Sequence, residues 1–264
     1  MEDFKKLYFL HIPKNAGQTV IKTVSTALRF ANIKHYSNSI PPHIENLNDN
    51  IFLAGHFGTY PIESLSGFST ACVFRDPLKR VLSNFNYIYP ILMEREEYYQ
   101  INSFSDRLRH YLFHDENFYL HKNVQTRFIC NPATDSMFIT NEYSKENDRD
   151  VVAKKLMEKH WFVGNEKTSI DFAKSQINSF DIIGTVDKYD IFCKELYNWF
   201  KVNHGVKIAY NKNIMLNSSF NIDGGNSYTS LDLENILNKK EYDRIIEDNY
   251  MDYEIYNHVK GITG

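Results

Sequence analysis

Apolar and polar positions along this chain alternate between two repeats, one of about two residues and one of three to four. Residues 7–12 (LYFLHI) form a β-rich apolar run, residues 13–17 form a turn-prone loop, and residues 19–31 carry Val20, Val24, Ala27 and Leu28 at helical spacing. Residues 37–50 are polar and contain Pro41 and Pro42, so they read as a surface connection. A second short strand is expected at residues 51–54, ending at Gly55-His56, and a third at residues 70–74. The third runs into Arg75-Asp76-Pro77. Pro77 stands where the first turn of a helix tolerates proline, and Val81, Phe85 and Ile88 continue that helix.

Residues 94–123 keep the helical pattern and are strongly aromatic, with Tyr98, Tyr99, Phe104, Tyr111, Phe113, Phe118 and Tyr119. They suggest a helical layer over the sheet and a wall for a cleft, with packing as the main role of most of these rings. A local echo follows: Ala153-Lys154 precedes Gly164 at the distance at which Ala173-Lys174 precedes Gly184. Each copy reads as a helix and then a short strand, at residues 161–163 and 181–183. Residues 190–202 form an amphipathic helix, residues 211–228 a loop rich in Asn, Ser and Gly, and residues 231–259 one or two closing helices with Tyr250, Tyr253 and Tyr256 at helical spacing. Strands separated by helices throughout predict an α/β fold with a three-layer, mainly parallel sheet, and nothing resembles a linker, so residues 1–264 are expected to form a single domain.

Composition narrows this picture mainly by exclusion. With 42% hydrophobic and 24% charged residues, the chain is neither disordered nor a disulfide scaffold. A formal charge of −3 offers no global attraction to nucleic acid or to an anionic membrane. Cys72, Cys130 and Cys193 are far apart and lack CxxC spacing, which argues against a zinc site. No metal is called for. The run at residues 7–12 is much too short to span a membrane, and a cytoplasmic location is expected.

Two segments carry candidate chemistry. The first, residues 11–20 (HIPKNAGQTV), joins a strand to a helix. A loop so placed presents backbone N–H groups and the positive end of a helix dipole to an anion. Gly17 permits close approach, Lys14 adds a mobile cation, and Gln18 and Thr19 add side-chain donors. It is not a Walker A loop, because GxxxxGK[ST] is absent and the lysine precedes the glycine. The alternative is a basic turn that only connects two elements. The second segment is residues 73–83 (VFRDPLKRVLS). Arg75 at a strand end and Ser83 in the second turn of the next helix can face one phosphate, and Asp76, Arg80 and Ser83 share a helical face. Its alternative is a helix start with an ion-paired Arg75 and Asp76.

Together these segments resemble the PAPS-dependent sulfotransferases, in particular the branch of heparan and uronyl 2-O-sulfotransferases and their bacterial relatives. Residues 11–20 look like that family's 5′-phosphosulfate loop, HIPKTGGTS, with departures at Asn15, Ala16 and Gln18. Residues 75–83 look like its 3′-phosphate motif, RDPxxRxxS, with the same spacing. Further echoes are residues 54–57 (AGHF), 123–127 (NVQTR) and 180–188 (FDIIGTVDK), the last similar to a GLTER-like segment. Residues 250–256 resemble the family's closing helix.

The resemblance implies a P-loop-like strand-loop-helix that binds 3′-phosphoadenosine 5′-phosphosulfate (PAPS), and transfer of its sulfuryl group to a hydroxyl of a carbohydrate, lipid or small metabolite. PAP is the implied product. Lys14 would neutralise charge on the departing bridging oxygen, and the backbone of Asn15, Ala16, Gly17, Gln18, Thr19 and Val20 would hold the 5′-phosphate. Arg75 and Ser83 would recognise the 3′-phosphate. His56, in the AGHF segment, would be the base. The other histidines, His11, His35, His43, His110, His114, His121, His160, His204 and His258, are read as structural, with His11 supporting the loop. Asn123, Gln125 and Arg127 could line the cleft or brace it, and residues 217–219 could fold over the nucleotide. Family members of the Golgi carry a membrane anchor, and this chain shows none, which again implies the cytoplasm. Two other readings stay open: a non-catalytic PAP-, nucleotide- or glycan-binding module of the same fold, and a P-loop-like nucleotide kinase, which the missing Walker pattern disfavours.

Overall fold

A computed structural model describes residues 5–38, 50–56, 58–59, 67–114, 121–130, 165–209 and 233–264. Five strands form one sheet: β1 (Lys6–Leu10), β2 (His35–Asn38), β3 (Phe52–Gly55), β4 (Phe68–Phe74) and β5 (Ile182–Thr185), in the spatial order β2-β3-β1-β4-β5. Every pairing is parallel. The helices are α1 (Gly17–Phe30), α2 (Pro77–Leu92), α3 (Glu96–Tyr99), α4 (Phe104–Phe113), α5 (Val124–Cys130), α6 (Glu166–Asn178), α7 (Tyr189–His204), α8 (Leu233–Ile236), α9 (Lys239–Asp248) and α10 (Tyr250–Ile262).

The two-residue period of the central strand sorts its side chains between two cores. Leu7 and Phe9 pack with Val20, Val24 and Leu28 of α1 and with Phe192, Leu196 and Phe200 of α7. Tyr8 and Leu10 pack on the other face with Ile129 of α5, Ala173 and Ile177 of α6, and Ile255 and Val259 of α10. Helices therefore cover both faces of the sheet, as an all-parallel sheet requires. A third cluster joins Val81, Phe85 and Tyr89 of α2 to Tyr98, Leu108, Tyr111, Leu237 and Ile245. The aromatics Tyr98, Phe104, Tyr111 and Phe113 thus build a helical core, while Tyr99 is largely exposed.

Several boundaries differ from the sequence reading. Ser37 and Asn38, expected in a surface connection, instead end β2, whose pairing with β3 through the backbone does not depend on an apolar pattern. Strand β1 stops at Leu10, so His11 lies just beyond it, although the His11 amide still donates to the Gly55 carbonyl at 3.0 Å. The closing segment holds three helices, because Asn238 breaks the path and caps α9 through a reciprocal pair with Glu241. The strand expected at residues 161–163 and the first copy of the echo, the loop 211–228, Phe57, Phe118, Tyr119, His43 and His160 lie outside the described residues. Among the described residues, no helix is long and apolar enough to cross a membrane.

Register determines where the site forms. Leu10 pairs with Gly55 on one side and Cys72 on the other, so β4 runs two residues past the end of β1. The connection after β1 leads toward β2 and β3, whereas that after β4 leads toward β5 on the opposite side. The carboxyl ends of β1 and β4 therefore flank the point where the winding reverses, which is where open parallel sheets form a ligand crevice.

Candidate functional site

The loop leaving β1 has an unusual backbone. Lys14 (φ 70) and Ala16 (φ 60) are both left-handed without being glycine, and Ala16 is the N-cap of α1 with no side-chain cap. Alternation of this kind turns successive amides inward as a concave anion nest. Two of the expected amides are already engaged, since Asn15 N donates to the Ile12 carbonyl and Thr19 N to that of Ala16, at 3.3 and 3.2 Å. The amides of Ala16, Gly17 and Gln18 are those that the start of a helix leaves without an intrahelical acceptor. The Val20 side chain is fully buried in the core, and Gln18 is exposed.

The strain of this loop is offset by anchors, one of which is Gln125, which the sequence leaves as either lining the cleft or bracing it. Asn15, fully buried, donates through Nδ2 to the Val73 carbonyl (3.0 Å) and to Oε1 of Gln125 (2.8 Å). The Tyr189 hydroxyl on α7 donates to the Ala16 carbonyl at 3.3 Å. Gly17 does make a close approach, but to protein: a Cβ there would lie 2.1 Å from Cδ2 of His11. The residue is small so that the imidazole can pack beneath the helix start.

Arg75, the first residue after β4, reaches this loop. Its Nη1 donates to the Lys14 carbonyl at 3.0 Å, while its buried Nε has no hydrogen-bond partner among the described residues. Asp76 caps α2 by accepting from the Lys79 amide at 2.9 Å, so its local role is the helix start. Arg80 turns inward, fully buried, and donates through Nη2 to the His121 carbonyl at 2.8 Å. Ser83, one turn on, is half-buried on the stripe that continues to Tyr87, over whose ring the Lys14 ammonium sits at 4.0 Å from the centroid. Lys14, Arg75 and Ser83 therefore share one end of the sheet.

Charge is concentrated there. Burial, then the nearby Arg75 and Arg80 guanidinium groups, push the Lys14 ammonium down to about 8. Burial and Arg80 also lower Arg75, against the pull of Asp76 and Asp187. Beneath them, Arg127 is lowered to about 10 by burial and by Arg80, with Asp252 opposing. Asp252, wholly buried on α10, accepts from the Gln125 amide (3.1 Å), the Thr126 amide (2.7 Å) and the Thr126 hydroxyl (2.8 Å). Cations gathered at the ends of β1 and β4, where burial and the neighbouring guanidinium groups lower Lys14 and Arg75, suit a multiply charged anion.

His56 follows the end of β3 on the same edge. Its Nδ1 lies 2.7 Å from the His11 carbonyl, an acceptor only, so Nδ1 carries the proton and Nε2 keeps the lone pair. The ring lies against His11, with centroids 4.3 Å apart, and edge-on to Phe128 at 6.1 Å. Burial lowers its pKa below the ordinary imidazole value, only partly offset by the bond to His11, so the neutral form dominates at pH 7. His11 is lowered further, by burial, His56 and Lys14.

Asn123, Gln125 and Arg127 are buried on or before α5 and brace the site. Gln125 joins Asn15 to Arg75, and Asn123 pairs with α10, donating from its amide to Asn249 Oδ1 (3.1 Å) and accepting from the Asp252 amide (3.2 Å). Among the described residues, no group of three or more His, Cys, Asp or Glu side chains is placed to hold a metal ion. Fold and site together define an all-parallel α/β protein with cationic side chains gathered at its winding reversal. The chain matches no family model and no curated protein.

Proposed function

We propose that this protein is a PAPS-dependent sulfotransferase acting on a hydroxyl of a carbohydrate, lipid or small-metabolite acceptor. The observation that supports this most strongly is that two segments 61 residues apart meet, with Arg75 Nη1 on the Lys14 carbonyl. The amides of Ala16, Gly17 and Gln18 receive the 5′-phosphate, and Arg75 with Ser83 receives the 3′-phosphate. Nε2 of His56 takes the proton of the acceptor hydroxyl as its oxygen bonds to sulfur. The bond from sulfur to the bridging oxygen breaks, and its electron pair remains on the 5′-phosphate of PAP, where Lys14 meets the new charge. The products are a sulfate ester, PAP and an imidazolium that returns its proton to water.

The test is release of PAP from PAPS across a panel of hydroxyl acceptors, paired with calorimetric titration of PAP. The wild type should bind PAP and turn over. His56→Ala should keep PAP affinity and lose turnover by at least about a hundredfold, the usual contribution of a positioned base. Equal loss of both removes His56 from the base role, and absence of PAP binding by the wild type removes the proposal. PAP binding without turnover on any acceptor would favour a non-catalytic binding module.

A further inference from the structure

Gln125 is fully buried, and its side chain lies between the two halves of the crevice. Oε1 accepts from the Arg75 amide at 3.0 Å and from Asn15 Nδ2 at 2.8 Å, while Nε2 donates to the Arg75 carbonyl at 2.8 Å. The carboxamide thus meets the backbone of Arg75 with a donor and an acceptor, as a neighbouring strand would, at the point where β4 ends. Its own main chain is fixed in turn, with its amide donating to Asp252 of α10 at 3.1 Å.

We infer that Gln125 is the positioning residue that sets the span between the Lys14 loop and Arg75, and so the preference for a nucleotide phosphorylated at both ends. The inference rests on the reading of the crevice as a PAP site. Its asymmetry follows from the bonds. Without the Gln125 side chain, Asn15 still holds the Val73 carbonyl at 3.0 Å, so the loop keeps an anchor. Arg75 loses both bonds that Gln125 makes to its main chain, so its guanidinium is held only by the Nη1 bond to the Lys14 carbonyl and its aim loosens. Affinity for adenosine 5′-phosphate, which needs only the loop, should therefore change little. The added affinity from a 3′-phosphate should largely disappear, since a charge-assisted contact depends steeply on alignment.

The experiment compares dissociation constants of PAP and adenosine 5′-phosphate for the wild type, Gln125→Ala and Gln125→Met. Methionine fills nearly the same volume without hydrogen-bonding and keeps the comparison available should the alanine variant fold poorly. The wild type should favour PAP. In both variants the PAP to adenosine 5′-phosphate affinity ratio should fall by about tenfold or more, with adenosine 5′-phosphate affinity within about threefold of wild type. General destabilisation would lower both affinities together and leave the ratio unchanged, which would overturn the inference while leaving the PAP site intact. A wild type that binds both nucleotides equally would overturn the reading on which the inference rests.

Discussion

Lys14 offers a test of the crevice that needs no knowledge of the acceptor. Its ammonium is held at about 8 by burial and by the two neighbouring guanidinium groups. Phosphates placed among these cations reverse that balance, and an ordinary lysine value of about 10.4 is the natural expectation for the complex. Binding must then draw a proton from solvent wherever free Lys14 is partly neutral. With those two values, uptake per site is about 0.1 proton at pH 7, about 0.5 at pH 8 and about 0.9 at pH 9. The phosphates themselves, with second pKa values of about 6, are fully ionised over most of this range and contribute little. Titrating PAP calorimetrically in buffers of different ionisation enthalpy measures the uptake. Lys14→Arg, which stays charged, should bind PAP with no uptake, whereas Lys14→Met should show no uptake and weaker binding. A wild-type value that stays flat between pH 7 and 9, or an unchanged rise in Lys14→Arg, would refute the assignment of this charge.

Other expectations follow from the same contacts. Tyr87→Leu removes the ring beneath the Lys14 ammonium, so the midpoint of proton uptake should move about half a pH unit toward acid; an unmoved midpoint means the ring contributes nothing. Gly17→Ala places a methyl where the His11 ring stands, displacing His11 and the His56 that leans on its carbonyl, so turnover should fall more than PAP affinity; parallel losses would contradict this. Because His56 must be neutral to act and burial lowers its pKa, the acid limb of kcat/KM should lie below the ordinary imidazole pKa of about 6.5, with an alkaline limb at about 8 where free Lys14 loses its charge; an acid limb above the imidazole value would contradict the environment described. Asp252→Ala leaves Arg80 and Arg127 buried without their carboxylate and frees the start of α5, so it should cost about 3–5 kcal/mol in urea denaturation; a loss below about 1 kcal/mol would deny Asp252 that role.

The central strands and helix starts were legible because local rules determine them. Leu7 to Leu10 alternate between two cores, Pro77 opens α2 behind an Asp76 cap, and Val20, Val24 and Leu28 follow one helical face. Strand β2 was hidden because an edge strand can be polar. The site was legible as two segments, but what joins them was not. Asn15 meets Gln125 across 110 residues, and Gln125 leans on Asp252 across 127, so no local spacing could reveal either contact. The 123–127 segment marks Gln125 as lining the cleft or bracing it, but not as the link between Asn15 and Arg75. The contact between Gly17 and His11 was not legible, because a glycine at a helix start reads as close approach without saying what approaches, and only the fold places the His11 ring there.

The most direct measurement is a crystal structure of the protein with PAP. One phosphate is expected against the amides of Ala16, Gly17 and Gln18, and the other within hydrogen-bonding distance of the Arg75 guanidinium and the Ser83 hydroxyl, with Nε2 of His56 facing the space beside the 5′-phosphate. A nucleotide bound away from the ends of β1 and β4, or one whose two phosphates both lie on a single segment, would contradict the account.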